Sequence, residues 1–273
     1  MTPYRILPRN KFFEVVGGIM FENRGNDKVA MISEIDMSAC IQLREAVAMQ
    51  TGIKPSYTSL VAKAVAQGLC DHPYANRLPL DLPFFRRLVQ LNDIDITVAV
   101  ERDSEGLEQA TYAGTIPNTD RWPLASLNQE LKRIATAEGE HGERWRLFEK
   151  IVTKVPTPIA RAVLLIPNLW PSLWVKHRGG VVMISSPAKY GVDLLVGNWP
   201  WPIGFSFGIV KDRPIAIDGT VQVRPTMSLI MSFDRRIMSG APAARFFKSV
   251  ADKLETSPDA LNDESTTPRQ TTT

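Results

Sequence analysis

The sequence predicts an α+β domain, and three observations carry that expectation. Ile94, Ile96, Val98 and Val100 alternate with Asp95, Thr97 and Ala99, the period-2 pattern of a half-buried strand. Two earlier segments, Met37 to Gln50 and Thr58 to Cys70, place apolar residues at helical spacing instead. Helices and meander-like strands then follow in runs, without regular βαβ alternation and without a repeat of roughly 20 to 50 residues, which argues against doubly wound and solenoid folds.

Taken in order, residues 1–27 read as an irregular N-terminal arm. Lys28 to Ile35 follows as a strand. Asp36 is placed to cap a helix from Met37 to Gln50, with Cys40, Ile41, Val47 and Ala48 on its apolar face and Gly52 as its stop. The next helix, Thr58 to Cys70, presents Leu60, Val61, Ala64 and Val65 and is closed by His72-Pro73. The two helices are expected to pack on one sheet. After the alternating strand, Asp103-Ser104-Glu105-Gly106 supplies turn residues, and Leu107 to Ile116 returns as a hairpin partner. Leu124, Leu127, Leu131 and Ile134 mark a third amphipathic helix.

Residues 143–178, rich in Trp, Leu and Pro, read as helical pieces separated by prolines and as an insertion into the domain. Four strand candidates rich in Val, Ile and Phe come next: Gly180 to Ser185, Ile203 to Val210, Val221 to Arg224 and Met227 to Phe233. Ala241-Pro242 opens a last helix with Phe246, Phe247, Val250 and Leu254 facing inward. The domain is therefore expected to span 28–255, and the polar residues 256–273 are expected to form a disordered tail.

Composition bounds the function. A chain of 273 residues can bury about 75% of its unfolded surface in one domain. Its 32 basic and 29 acidic residues leave a net charge of only +3, which is no footprint for nucleic acid. Cys40 and Cys70 lie in helix-like patterns without metal-ligand spacing, so they read as small buried thiols and no metal site is expected. Met1 to Asn10 lacks a signal-peptide core, and the longest apolar stretch, Ala162 to Val175, is broken by Pro167 and Pro171, so a cytoplasmic chain is expected.

The segment Met227 to Phe246, with Asp234-Arg235-Arg236 and Ser239-Gly240-Ala241 at its centre, resembles the C-terminal signature of dihydrolipoyl acyltransferases, where a strand ends in Asp-His-Arg and Asp-Gly-Ala follows. Other pieces fall in the same order: His72-Pro73-Tyr74-Ala75-Asn76, Asp93 to Val100, Val182-Met183-Ile184-Ser185-Ser186 with Gly191-Val192-Asp193, and Gly208-Ile209-Val210 with Arg213-Pro214. The resemblance is to the catalytic core of 2-oxo acid dehydrogenase acyltransferases. It implies a chloramphenicol-acetyltransferase-like mixed sheet with helices packed on one side. It also implies a homotrimer with active sites between subunits, and in some members a larger assembly. The implied substrate is an acyl thioester of CoA or of a carrier protein, with no bound cofactor. With the core beginning near Met1, a direct role as the swinging-arm subunit of such a complex is expected only if a partner chain supplies the lipoyl group.

In the resembled family a histidine takes the proton of a thiol or hydroxyl, the nucleophile attacks a thioester carbonyl, and a Ser or Thr hydroxyl binds the oxyanion. That hydroxyl maps to Ser185, with Ser186 as the alternative and an ordinary strand-end hydroxyl as the bland reading. The histidine's place is taken by Arg235, and the motif Asp four residues on by Ser239. An arginine stays protonated below about pH 12 and cannot act as a general base at neutral pH. A positioned base contributes about 10² to 10⁴ in rate. Arg235 could instead bind a carboxylate or phosphate, stabilise an oxyanion, or form a structural ion pair with Asp234 or Asp193. Of the three histidines, His72 matches a structural element, His141 lies in a polar stretch, and His177 is the one candidate for a substitute base.

Three functions compete on these residues: an acyltransferase with an altered site, a non-catalytic trimeric assembly subunit, and a biosynthetic enzyme using the pocket for a different reaction. In the insertion, Leu164-Leu165-Ile166, Leu169-Trp170 and Leu173-Trp174 with basic flanks resemble a segment lying on a membrane surface. Trp199 and Trp201 add exposed-looking aromatics. Burial against the core or a neighbouring subunit is the more ordinary fate of such residues, and the segment could also line an acyl-chain tunnel.

Overall fold

In the computed structural model, residues 28–82, 85–103, 110–136, 139–256 and 258–262 are described. The N-terminal arm and most of the polar tail lie outside them. The strands are β1 (Lys28–Asp36), β2 (Arg77–Leu82), β3 (Phe85–Gln90), β4 (Ile96–Arg102), β5 (Ala110–Ile116), β6 (Val182–Ser185), β7 (Ile203–Phe207), β8 (Lys211–Ile217) and β9 (Thr220–Asp234). The helices are α1 (Ser38–Thr51), α2 (Tyr57–Asp71), α3 (Leu124–Thr136), α4 (Glu140–Lys154), α5 (Thr157–Leu165), α6 (Pro171–Arg178) and α7 (Gly240–Glu255).

Seven strands form one sheet in the order β1-β9-β7-β6-β4-β5, with β8 paired to β9, while β2 and β3 make a separate hairpin. The sheet is mixed. β4 and β7 run parallel to β6 between them, and the other pairings are antiparallel.

Register shows how the helices are layered. Gly114, Val98, Ile184 and Phe205 are successive cross-strand neighbours, so their Cα–Cβ directions share one face. On that face an added Cβ at Gly114 would lie 2.3 Å from Ile134 of α3, and Phe205 meets Phe246 of α7 edge-on at 5.9 Å. Helix α2 packs on α7 through Gly68, where a Cβ would sit 2.8 Å from Val250. Helices α2, α3 and α7 therefore cover one side of the sheet. The opposite side is partly covered by the segment after β6: Trp199 lies so close over Gly204 that a Cβ there would come within 2.2 Å of the indole.

The amphipathic stripes fall where expected, with Leu60, Val61, Ala64 and Val65 of α2, Leu124, Leu127, Leu131 and Ile134 of α3, and Phe246, Phe247, Val250 and Leu254 of α7 all buried. Several expectations need correction. Met37, not Asp36, occupies the N-cap of α1, although the Asp36 carboxylate accepts the Ser38 N–H at 2.8 Å. The α1 core face includes Leu43, while Ile41 and Ala48 are only half-buried. The two candidates Val221 to Arg224 and Met227 to Phe233 are one 15-residue strand, β9, because Pro225 sits in register opposite Asp212 without breaking the ladder. Helix α7 is followed by a 3-10 turn, Pro258–Leu261, whose Leu261 is fully buried. The chain beyond α7 is thus anchored by Pro258 and Leu261 at the start of the segment expected to be disordered.

Candidate functional site

Ser185 ends β6, half-buried, on the side of the sheet away from α7, and its hydroxyl makes no hydrogen bond among the described residues. Ser186 is committed: its Oγ donates to the Phe207 carbonyl at 2.8 Å and accepts the Ala188 N–H at 3.2 Å. That contact folds the chain into the turn after β6. Of the two serines, only Ser185 has a hydroxyl free to meet a ligand.

Arg235 follows the last residue of β9, exposed to solvent, and makes no hydrogen bond or ion pair among the described residues. The ion pairs considered for it do not form. Asp234, 3% exposed, is held instead by Arg236, whose Nε lies 3.0 Å from both carboxylate oxygens. Asp193 is paired with Lys211 at 2.6 Å and Arg213 at 2.9 Å. Both carboxylates that could have claimed Arg235 are taken. Ser239, the N-cap residue of α7, is exposed with its hydroxyl uncommitted among the described residues.

The structure does not bring Ser185 and Arg235 of one chain together. Ser185 is level with Ser206 of β7, and Ser206 with Ile230 of β9. Arg235 lies five residues further along β9, at the other end of the sheet. Two strand spacings and five residues of rise put their Cα atoms about 19 Å apart.

Sequence reasoning treated Lys28 only as the first residue of a strand. It pairs in register with Asp234, and its ammonium donates to the backbone carbonyls of Trp199 and Trp201. Burial, opposed by the Asp234 charge, pulls its pKa down from 10.5 to about 8. A half-buried lysine beside the Asp-Arg-Arg segment becomes visible only through the β1–β9 register. Trp201 is buried, its indole N–H bonded to the Arg178 carbonyl at 2.9 Å, and half-buried Trp199 packs on Gly204, so both exposed-looking aromatics pack on the domain, the more ordinary fate.

The three histidines separate cleanly. His72 is 3.1 Å from the Tyr74 hydroxyl and packs edge-on to Phe246, and His141 pairs with Glu130 at 2.8 Å. His177 is exposed on α6, where partial burial and the charges of Lys176 and Arg144 hold its pKa below the usual imidazole value. It is therefore neutral near pH 7. The next residue's carbonyl, Arg178 O, accepts from Thr97 and Trp201, which places His177 at the sheet end where β6 begins, away from Ser185. Cys40 is buried, whereas Cys70 is exposed, which corrects the expectation of two buried thiols. Among the described residues no cluster of three His, Cys, Asp or Glu could hold a metal ion, and no helix is long and apolar enough to cross a membrane.

Comparison with known proteins gives this arrangement a lineage. Residues 20–142 and 178–262 match the family described as 2-oxoacid dehydrogenases acyltransferase (catalytic domain). Among curated proteins, the chain is 27% identical over 227 residues to the human mitochondrial dihydrolipoyllysine-residue succinyltransferase component of the 2-oxoglutarate dehydrogenase complex, covering 82% of this chain and 43% of that one. The Haemophilus influenzae counterpart is 24% identical over 229 residues, covering 82% and 47%. The chain thus spans less than half the length of these relatives. Among solved structures, the cubic core of the pyruvate dehydrogenase multienzyme complex superposes with a TM-score of 0.68 at 22% identity, covering 94% of each chain. Chloramphenicol acetyltransferase does so with 0.52 at 16%, covering 88% of this chain and 94% of that one. The fold is the mixed-sheet, one-sided α+β arrangement of those proteins. Since the match takes in well over half of its residues, the chain belongs to the 2-oxoacid dehydrogenase acyltransferase catalytic-domain family.

Proposed function

We propose that this protein transfers an acyl group between thiols, taking it from CoA or a carrier-protein thioester, at a site built between two copies of the chain. The observation that carries the proposal is the pair of uncommitted side chains at the two family positions, the Ser185 hydroxyl and the unpaired Arg235 guanidinium, held at opposite ends of one sheet. Two groups about 19 Å apart in one chain can share a substrate only if the second comes from a neighbour. A closed trimer supplies one such neighbour per site. The solved relative described as a cubic core of a multienzyme complex supports a larger assembly as well.

Arg235 changes how the proton is handled. In the dihydrolipoamide acetyltransferase of Azotobacter vinelandii, the residues studied for catalysis are a serine, a histidine and an asparagine four positions after the histidine. Here the same spacing joins Arg235 to Ser239. Arg235 cannot accept a proton, but its charge favours the ionised form of an acceptor thiol. The acceptor loses its proton to solvent, and its thiolate attacks the thioester carbonyl. The Ser185 hydroxyl donates to the oxyanion. Collapse breaks the original carbon–sulfur bond, and the departing CoA thiolate takes a proton from water.

The test is release of free CoA from short- and long-chain acyl-CoA thioesters, with thiol and hydroxyl acceptors, by the wild-type protein and by Arg235→Ala, Arg235→His and His177→Ala. Turnover lost in Arg235→Ala, kept in His177→Ala, and rising with pH toward the acceptor thiol pKa near about 8.5 supports the thiolate route. Arg235→His should move the rise to lower pH. Activity abolished by His177→Ala would make that imidazole the base. No turnover with any substrate, from folded oligomeric protein, favours a non-catalytic assembly subunit or chemistry outside thioesters.

A further inference from the structure

The residues between the two family-matched stretches, 143–177, carry an apolar face turned outward. In α5 and the 3-10 turn after it (Ile166–Leu169), Ile159, Ala162, Leu165, Ile166 and Leu169 fall on one arc of about 120°, taking 3.6 residues per turn in the helix and 3.0 in the turn. Ala160 and Pro167 fall on the other side and are buried. The outward arc is open: Ile159 is 54% exposed, Ile166 41% and Leu169 48%, with Trp170 at 55% beside them. An amphipathic helix on a globular domain turns its apolar side to the core. This one has an apolar side to spare.

The charge around that face has one sign. From Lys150 to Val192 there is no Asp or Glu, while Lys150, Lys154, Arg161 and Lys176 are exposed cations; Arg178 is buried and Lys189 is paired with Glu101. Lys150, Lys154 and Lys176 are exposed and form no ion pair among the described residues. Two copies meeting through this face would bring these cations together, at a cost in repulsion. An anionic bilayer supplies both an apolar layer for the exposed arc and phosphate or carboxylate charge for the lysines.

We propose that α5, the following turn and the start of α6 form a docking surface for anionic lipid membranes. The nine residues of α5 are far too few to span a bilayer. The element lies in the interface plane, with Trp170 at headgroup level and the lysines against the headgroups. The inference does not depend on acyl transfer.

The test is flotation of the whole protein with vesicles of phosphatidylcholine alone or with about 30 mol% phosphatidylserine. Binding should be on the order of tenfold stronger to the anionic vesicles, and should fall as salt is raised to about 0.5 M. Ile166→Glu/Leu169→Glu should weaken it on the order of tenfold or more. Val221→Glu, at an exposed apolar site elsewhere, should leave it unchanged. Absence of flotation, or equal binding to neutral vesicles, overturns the proposal. So does a smaller oligomer for Ile166→Glu/Leu169→Glu than for wild type in lipid-free light scattering, because the face would then be a contact between copies.

Discussion

Replacing Ser185 and Ser186 one at a time by alanine separates ligand chemistry from folding at two adjacent positions. The Ser186 hydroxyl satisfies the Phe207 carbonyl and the Ala188 N–H, so Ser186→Ala removes two hydrogen bonds in a half-buried turn. At about 0.5–1.5 kcal/mol each, the loss is roughly 1–3 kcal/mol. For a chain of this size that lowers Tm by about 2–12 °C. Ser185 has no such partner, and Ser185→Ala should leave stability within about 0.5 kcal/mol of wild type. Thermal unfolding gives the first readout. CoA release gives the second, in which Ser185→Ala should lose about 10² to 10³ in rate and Ser186→Ala should lose little when measured well below its Tm. A protein destabilised at 185 and indifferent at 186 would refute the assignment, as would activity surviving Ser185→Ala.

Arg236→Leu strips the buried Asp234 of its bidentate partner and should cost about 3 kcal/mol by denaturant titration, with Asp234→Asn in the same chain recovering part of it. Stability should rise on the order of 1 kcal/mol between pH 8 and 9. In that window the unfolded Lys28 keeps its proton while the folded one, held near about 8 by burial, has lost it. Above pH 9 the opposite effect of Cys40, whose thiol burial pushes up to about 12 from 9.0, offsets the gain. Lys28→Met should flatten the rise, as read from denaturation midpoints across the pH series.

The helices were legible because long amphipathic stripes such as those of α3 and α7 carry their own burial instructions, and Gly52, at φ +71, stops α1 as its residue type demands. The β2–β3 hairpin was not, since Pro79 pairs within it opposite Leu88 against the usual exclusion of proline from strands. Strand β8 was missed although Asp218-Gly219, both at positive φ, is a strong two-residue hairpin signal. Lys63 breaks the rule that lysine is exposed: it is 1% exposed, its ammonium donating to the Asp120 and Trp122 carbonyls. The candidate positions Ser185, Arg235 and Ser239 all came from the resemblance to the family motif. What sequence could not supply was the partner of each neighbour. Whether Ser185 or Ser186 is free depends on Phe207, and whether Arg235 is free depends on Arg236 having taken Asp234.

Among the described residues strand β1 pairs only with β9, with Lys28 opposite Asp234, so the first described strand waits for one of the last. At about 5–20 residues per second, a ribosome needs roughly 10–40 s to make the intervening chain. During that time the edge of β1 that pairs with β9 stays open, and Cys40 of α1 has yet to meet the Leu254 carbonyl of α7. Pairing over such separations is slow in its own right. β1 and α1 therefore depend on protection until β9 has been made, and the Arg235 end of the sheet is among the last parts of the domain to take shape.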